Sequence, residues 1–150
     1  MKHNLSLSDK KYSEKILEKN IKLFTEWDWF FISRYQNLSE QFTEKNVDKL
    51  HWGCISCFKK LSEDYIEKYS HKVDWDVISN YQTLSESFIE KYSDKVNWDE
   101  IFRCQKLSEK FIKKHIDKID IDCLLIENKK ISKKLKEKIK KELSLLKEII

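Results

Sequence analysis

The sequence predicts an all-α fold, an α-solenoid of short helical hairpins, and three observations carry that prediction. The first is a 23-residue period. Trp29, Trp52, Trp75 and Trp98 stand one period apart, and Ile121 takes the next place. Leu38, Leu61, Leu84 and Leu107 keep the same step, as do Ile32, Ile55, Ile78, Ile101 and Leu124. A fixed period held across most of a chain marks a repeat architecture. The second is that each period holds two helix-start signals, each followed by apolar residues at helical spacing. The third is composition: proline is absent and Gly53 is the only glycine, so turns that depend on either residue are few. Leucine-rich repeats have a similar period, but the L-x-x-L-x-L-x-x-N strand segment they need is missing.

The stretch 61–83 shows how one repeat works. Ser62 suits an N-cap, since its hydroxyl can accept from an orphan N–H of the first turn. Glu63 and Asp64 complement the positive end of the helix dipole. Leu61 at N′ and Ile66 at N4 have the spacing of a hydrophobic staple. Asp74 repeats the cap, with Val73 and Ile78 as the second staple. The repeat therefore reads as helices over 62–70 and 75–82, joined by a turn at 70–73. Such helices are shorter than the roughly 12–15 residues that stand alone in water, so they must stack on their neighbours.

Taken in order, the domain is a single repeat array over 1–150. Residues 5–36 form a divergent first repeat in which Tyr12-Ser13-Glu14 stands for Leu-Ser-Glu. Tyr12 to Trp29 is 17 residues against 14 from Leu38 to Trp52, which places a three-residue insertion around Lys22–Thr25. Full repeats cover 38–128, the last of them decaying at Glu127-Asn128. Ile131, Leu135, Ile139, Leu143 and Leu146 then mark an amphipathic helix over 132–148. Residues 129–150 carry nine Lys against three Glu and read as a C-terminal cap with a lysine-rich outer face.

Composition narrows the class. With 150 residues, 19 aromatic side chains and a net charge of +4, the chain can fold around a core and is not strongly committed to an anionic partner. No leader and no membrane span are expected, and the cysteines are expected to stay reduced in a cytosol. The scarcity of arginine, with Arg34 and Arg103 alone among 30 basic residues, suggests an AT-rich genome.

The run Leu-Ser-Glu-x-Phe-Ile-Glu-Lys-Tyr, then Asp-Lys-Val-Asn-Trp, stands most clearly at Leu84–Trp98, and Ile-Ser-x-Tyr-Gln at Ile78–Gln82. It resembles the tandem repeats of large DNA viruses, mimivirus-like viruses among them, and of related mobile elements. The resemblance covers roughly Tyr12 to Leu124. It implies a helical-repeat protein of viral or phage-like origin and brings no catalytic residues.

The side chains with chemistry to offer have ordinary readings. Cys54-Ile-Ser-Cys57, with His51 before it, lacks the second cluster of a structural zinc site and the βαβ setting of a redox motif. Cys54 stands where Val77 stands and Cys57 where Asn80 stands, so no metal and no cofactor are expected. The Trp column is expected in the core between repeats. Gln36, Gln82 and Gln105, with Lys59 as the exception, are expected to form a ladder to backbone groups between helices. No nucleophile, base and orienting group come together, so no enzyme site is expected.

Two columns of the second helix drift between repeats: Phe31, Cys54, Val77, Glu100, and Arg34, Cys57, Asn80, Arg103. Their neighbours Phe30, Gly53, Asp76 and Asp99 drift less regularly, and Phe30, Phe31, Arg34, Asn80, Glu100 and Arg103 are the candidate partner-binding residues, expected to point away from the core. The function read from the sequence is a non-catalytic protein-binding scaffold, a viral or phage protein acting in the host cytosol on a host protein, a defence factor included. The alternative is a nucleic-acid binder that uses the lysine-rich C-terminal helix.

Overall fold

In the computed structural model the structure describes residues 4–118 and 132–147, apart from the side chains of 135 and 142–147. Among these residues the chain is all-helical, with ten α-helices, two short 3-10 turns and no strand. The helices are α1 (Glu14–Asn20), α2 (Glu26–Tyr35), α3 (Glu40–Lys45), α4 (Trp52–Phe58), α5 (Glu63–Lys68), α6 (Trp75–Tyr81), α7 (Glu86–Lys91), α8 (Trp98–Cys104), α9 (Glu109–Lys114) and α10 (Lys133–Lys147). The 3-10 turns are Ile21–Leu23 and Ile116–Lys118. The chain divides into two compact units, Met1–Ile78 and Ser79–Ile150, and the division falls inside α6. Ile121, Cys123, Leu124, the Glu127-Asn128 pair and Ile131 lie outside the described residues, as do the side chains of Leu135, Leu143 and Leu146.

The caps form as the residues demand. The hydroxyls of Ser39, Ser62, Ser85 and Ser108 accept from the backbone N–H three residues on, at 3.1–3.2 Å. Asp74 Oδ1 accepts from Val77 N at 3.1 Å and Asn97 Oδ1 from Glu100 N at 3.2 Å. The first helix of a repeat is shorter than expected. It stops at Lys68 because Tyr69 takes φ −110° and ψ 27°. The chain then turns without glycine: Lys72 and Val73 both donate to Tyr69 O, at 2.8 and 3.1 Å, and Lys95 and Val96 do the same to Tyr92 O. No described residue has a positive φ.

The apolar columns of the period are the core. Ile32, Ile55, Ile78 and Ile101 from the second helices are fully buried, as are Leu17, Ile66, Ile89 and Ile112 from the first. Each such side chain contributes about 1.5–3 kcal/mol, an upper figure because the unfolded chain is not fully extended. The Trp column, expected in the core between repeats, lies partly at its margin. Trp29 is buried, but Trp52, Trp75 and Trp98 are half-buried. Their indole N–H groups donate to Val47 O, Ser70 O and Ser93 O at 2.9–3.0 Å. An indole has one polar atom, and here it closes the turn between the two helices while the rest of the ring covers the core margin.

Within each unit, three hydrogen-bond ladders join successive repeats. The carboxylate at N1 of one repeat takes the capping serine of the next: Glu40 takes Ser62, and Glu86 takes Ser108. The serine after the core isoleucine accepts from the N-cap backbone of the following second helix. Ser33 accepts from His51 N, Ser56 from Asp74 N and Ser79 from Asn97 N, at 2.9–3.1 Å. The expected glutamine ladder is the third. Gln105 Nε2 donates to Ser79 O and Gln82 O at 2.9 and 2.7 Å, and its Oε1 accepts from Leu84 N at 3.2 Å. Gln36 does the same with Leu7 O, Lys10 O and Tyr12 N. Ion pairs follow the period on the surface, Lys68 with Glu44 and Lys114 with Glu90; exposed pairs of this kind add little each.

The three-residue insertion is visible in the glutamine and carboxylate ladders of the first repeat, while the serine ladder, which starts beyond it at Ser33, keeps its span of 18. Gln105 reaches back 26, 23 and 21 residues, whereas Gln36 reaches back 29, 26 and 24. Glu40 and Ser62 are 22 apart, but Glu14 and Ser39 are 25 apart. The insertion lengthens α2 by one turn, to ten residues against seven in α4, α6 and α8.

Near the C-terminus, Ile139 of α10 is fully buried and Lys138 pairs with Glu109 at 2.5 Å. A helix therefore stands where the cap is expected, beginning one residue later than expected, with Ile139 buried.

Candidate functional site

The added turn of α2 makes the most distinctive feature of the first unit. Its N-cap moves back to Thr25, which forms a capping box with Asp28: Thr25 Oγ1 accepts from Asp28 N, and Asp28 accepts from Thr25 N at 2.8 Å. Phe24 now stands at N′ and Trp29 at N4. Their rings meet edge to face at 5.7 Å, a hydrophobic staple. Phe24 thus does what the buried Leu50, Val73 and Val96 do in later repeats. Trp27 occupies the sequence place of those residues, two before the periodic Trp, yet it is 72% exposed.

Trp27 lines an open cleft of about 690 Å³ together with Phe24, Trp29, Phe30 and His51, and with Glu26, Asp48 and Lys49 among its charged groups. The rings form successive walls. Trp27 meets Phe30 at 6.1 Å and 74°, and Phe30 meets His51 at 5.3 Å and 82°. Lys49 Nζ lies 5.5 Å from the Trp29 ring centre, a cation–π contact made within the chain. Asp48 pairs with Lys72 at 2.9 Å. His51 is held by its capping role, its Nδ1 accepting from Cys54 N at 3.3 Å. A ring nitrogen that accepts is unprotonated, so Nε2 carries the proton of the neutral ring. A Cβ at position 53 would lie 3.3 Å from His51 Cε1, so Gly53 gives this cap its room.

The six residues expected from the sequence fall into two patches, one in each unit, and all six are half-buried. In the first unit, Phe30 belongs to the cleft. Phe31 packs against the core cluster formed by Leu7, Leu17, Trp29, Ile32, Phe42, Leu50 and Ile55, and stacks on Tyr35 at 6.1 Å. It does not point away from the core: burying part of the ring against that cluster removes apolar surface from water. Arg34 lies over Phe58 at 4.5 Å and Tyr35 at 5.4 Å, and its buried Nε has no hydrogen-bond partner among the described residues. In the second unit, Arg103 pairs with Glu100, and Cys104 Sγ lies 3.5 Å from Asn80 Oδ1 and 3.8 Å from Glu100 Oε2. Those polar groups are turned toward one another.

Cys54 is buried and Cys57 half-buried, both as free thiols, and burial pushes the Cys54 thiol up. Among the described residues no three of His, Cys, Asp and Glu converge as metal ligands, and no helix is long and apolar enough to cross a membrane. His115 is buried in the place held by Tyr69 and Tyr92, between Trp98 and Phe111, each at 4.7 Å, and bonded to Glu90 at 2.7 Å. Lys114 and His115 hold the Glu90 carboxyl below its ordinary range.

Two features of the site were open to sequence reasoning and went unread. Thr25-Glu26-Trp27-Asp28 has the spacing of a capping box, which would have started α2 a turn earlier and brought Trp27 onto a helix. The serine column 33, 56, 79 keeps the period through three repeats, until Phe102 takes the next place.

No protein-family model, no curated protein and no solved structure matches this chain.

Proposed function

We propose that the chain is a non-catalytic protein-binding scaffold whose repeats stack as an α-solenoid and whose partner docks at the Trp27 cleft. The observation that carries this reading is the 72% exposure of Trp27 at the rim of a cleft of about 690 Å³. An aromatic side chain that packing does not require, held on a rigid helix, is the type of residue that anchors interfaces. The solenoid reading is supported by the ladders, which make the same kinds of bond from one repeat to the next inside each unit. The likeness to repeats of large DNA viruses supports a viral or phage origin, a place in the host cytosol, and a host protein as partner, a defence factor included.

Capture from host lysate treated with nuclease tests the reading, with the parent and Trp27→Ala run side by side. A protein retained in stoichiometric amount by the parent and lost with Trp27→Ala, at unchanged melting temperature, supports it. Equal capture by both removes the cleft.

The second reading, nucleic-acid binding, is favoured by one feature: Lys133, Lys134 and Lys140 of α10 are exposed while Ile139 is buried. Capture abolished by nuclease, with affinity falling steeply as salt rises, would favour it over the first.

A further inference from the structure

The geometry points to a cationic side chain, an arginine or lysine displayed by the protein partner, as the group the Trp27 cleft takes. The inference rests on the protein-binding reading and goes further by stating the chemistry. Trp27, Phe30 and His51 stand at steep angles to one another, 74° and 82° across successive pairs, so they line the cleft as walls rather than as one stacked slab. Rings set this way offer their negative faces to a cation from more than one side. The cleft already holds one such contact, Lys49 over Trp29. Of the charged groups that line it, Lys49 is given to Trp29 and Asp48 to Lys72, while Glu26 is exposed and makes no ion pair among the described residues. The charge left to meet a ligand is therefore negative. His51 adds an Nε2 N–H, which suits a backbone carbonyl of the same segment. An apolar partner side chain would leave Glu26 facing hydrocarbon, and an acidic one would meet Glu26 and the ring faces with the wrong sign.

The test uses the whole chain and four blocked tripeptides, acetyl-Gly-X-Gly-amide, with X as arginine, lysine, citrulline or glutamate. Citrulline keeps the shape of arginine without its charge. The indole N–H resonance of Trp27 is assigned by its loss in Trp27→Ala, a substitution at an exposed position that leaves the fold in place. The expected result is that the arginine and lysine peptides shift this resonance and the citrulline and glutamate peptides do not. Calorimetry should show binding weakened about tenfold by Trp27→Ala, severalfold by Glu26→Gln, and weakened again by added salt. Equal shifts from citrulline, larger shifts from glutamate, no shift from any peptide, or unchanged affinity in Trp27→Ala would each overturn the inference. If the cationic peptides fail while Trp27→Ala still loses the partner captured from lysate, the cation falls and the protein-binding cleft stands. If Trp27→Ala keeps that partner, the parent reading falls, whatever the peptides do.

Discussion

Replacing Lys59 with glutamine should stabilise the protein, and the size of the gain follows from the ladder that Lys59 interrupts. Its Nζ lies 2.5 Å from Gln36 O, the carbonyl 23 residues back, which is the bond Gln105 makes to Gln82 O. The ammonium reaches that carbonyl at a cost: burial, then the charge of Lys11, brings its pKa from 10.5 down to about 8. At about 1.4 kcal/mol per unit, the shift corresponds to a penalty of roughly 3 kcal/mol at neutral pH, taken as a ceiling. Lys59 is only half-buried, so solvent screening brings the figure to about 1–2 kcal/mol. A glutamine removes the charge and can donate to the same carbonyl. By the register of Gln105, its amide can also donate to Ser33 O and accept from Leu38 N, a bond no lysine can make. The folded pKa lies below the unfolded one, so the penalty is complete below pH 8 and relieved as pH rises toward 10.5. Urea unfolding at pH 7 should therefore show Lys59→Gln about 1–2 kcal/mol more stable than the parent. That advantage should shrink through the window from pH 8 to 10.5 as the parent gains stability. A variant no more stable than the parent at pH 7, or an advantage that is flat across the window, would refute the reasoning.

Three further outcomes are expected. Tyr65→Phe removes the phenol that donates to Thr43 Oγ1 at 2.5 Å, and should cost about 1 kcal/mol in urea unfolding, since position 65 otherwise matches Phe42, Phe88 and Phe111. Burial raises the Tyr65 pKa from 10.0 to about 12, so its contribution is complete below pH 10 and lost as pH rises through 12; the variant should show a smaller alkaline loss than the parent. Ser56→Ala strips the acceptor of Asp74 N and should cost about 1–3 kcal/mol, whereas exposed Ser87→Ala should leave the melting temperature within error. Phe31→Ala should destabilise by about 2 kcal/mol or more because the ring packs on the core cluster, while Trp27→Ala should not; equal melting temperatures for the two would contradict their placement.

The sequence revealed what packing repeats and concealed what packing tolerates. The isoleucine columns, the serine caps and the glutamine ladder were legible because each repeat needs the same residue at the same place. The Trp column was misjudged for a chemical reason: an indole is mostly hydrocarbon but carries one N–H, and the carbonyl that closes each turn draws it to the core margin. Phe31 was misjudged because drift between repeats was taken as exposure. Positions 31, 54, 77 and 100 drift because the core margin there accepts Phe, Cys, Val or Glu. In the second unit, the charges of Glu100 and Arg103 could not be read as spoken for until their mutual pairing was seen.

The inserted residues gain their meaning from the same ladder. One or two residues added before Trp29 within a helix would turn the preceding segment by about 100° or 200°, carrying Phe24 away from the core. Three come to about 300°, nearly a full turn, so Phe24 returns to the core side and can staple to Trp29. Ile32, Ser33 and Gln36 keep their places; the bonds of Gln36 and Glu14 survive with spans lengthened by three, and that of Ser33 to His51 keeps its span. The first repeat thus gains a turn of helix at no cost to the stack. On that turn Glu26 and Trp27 take part in none of the ladders or staples. A residue that packing requires cannot be read as functional from its presence alone. Trp27 and Glu26 are free of that requirement, which is why the cleft they border is the first place to look for a partner.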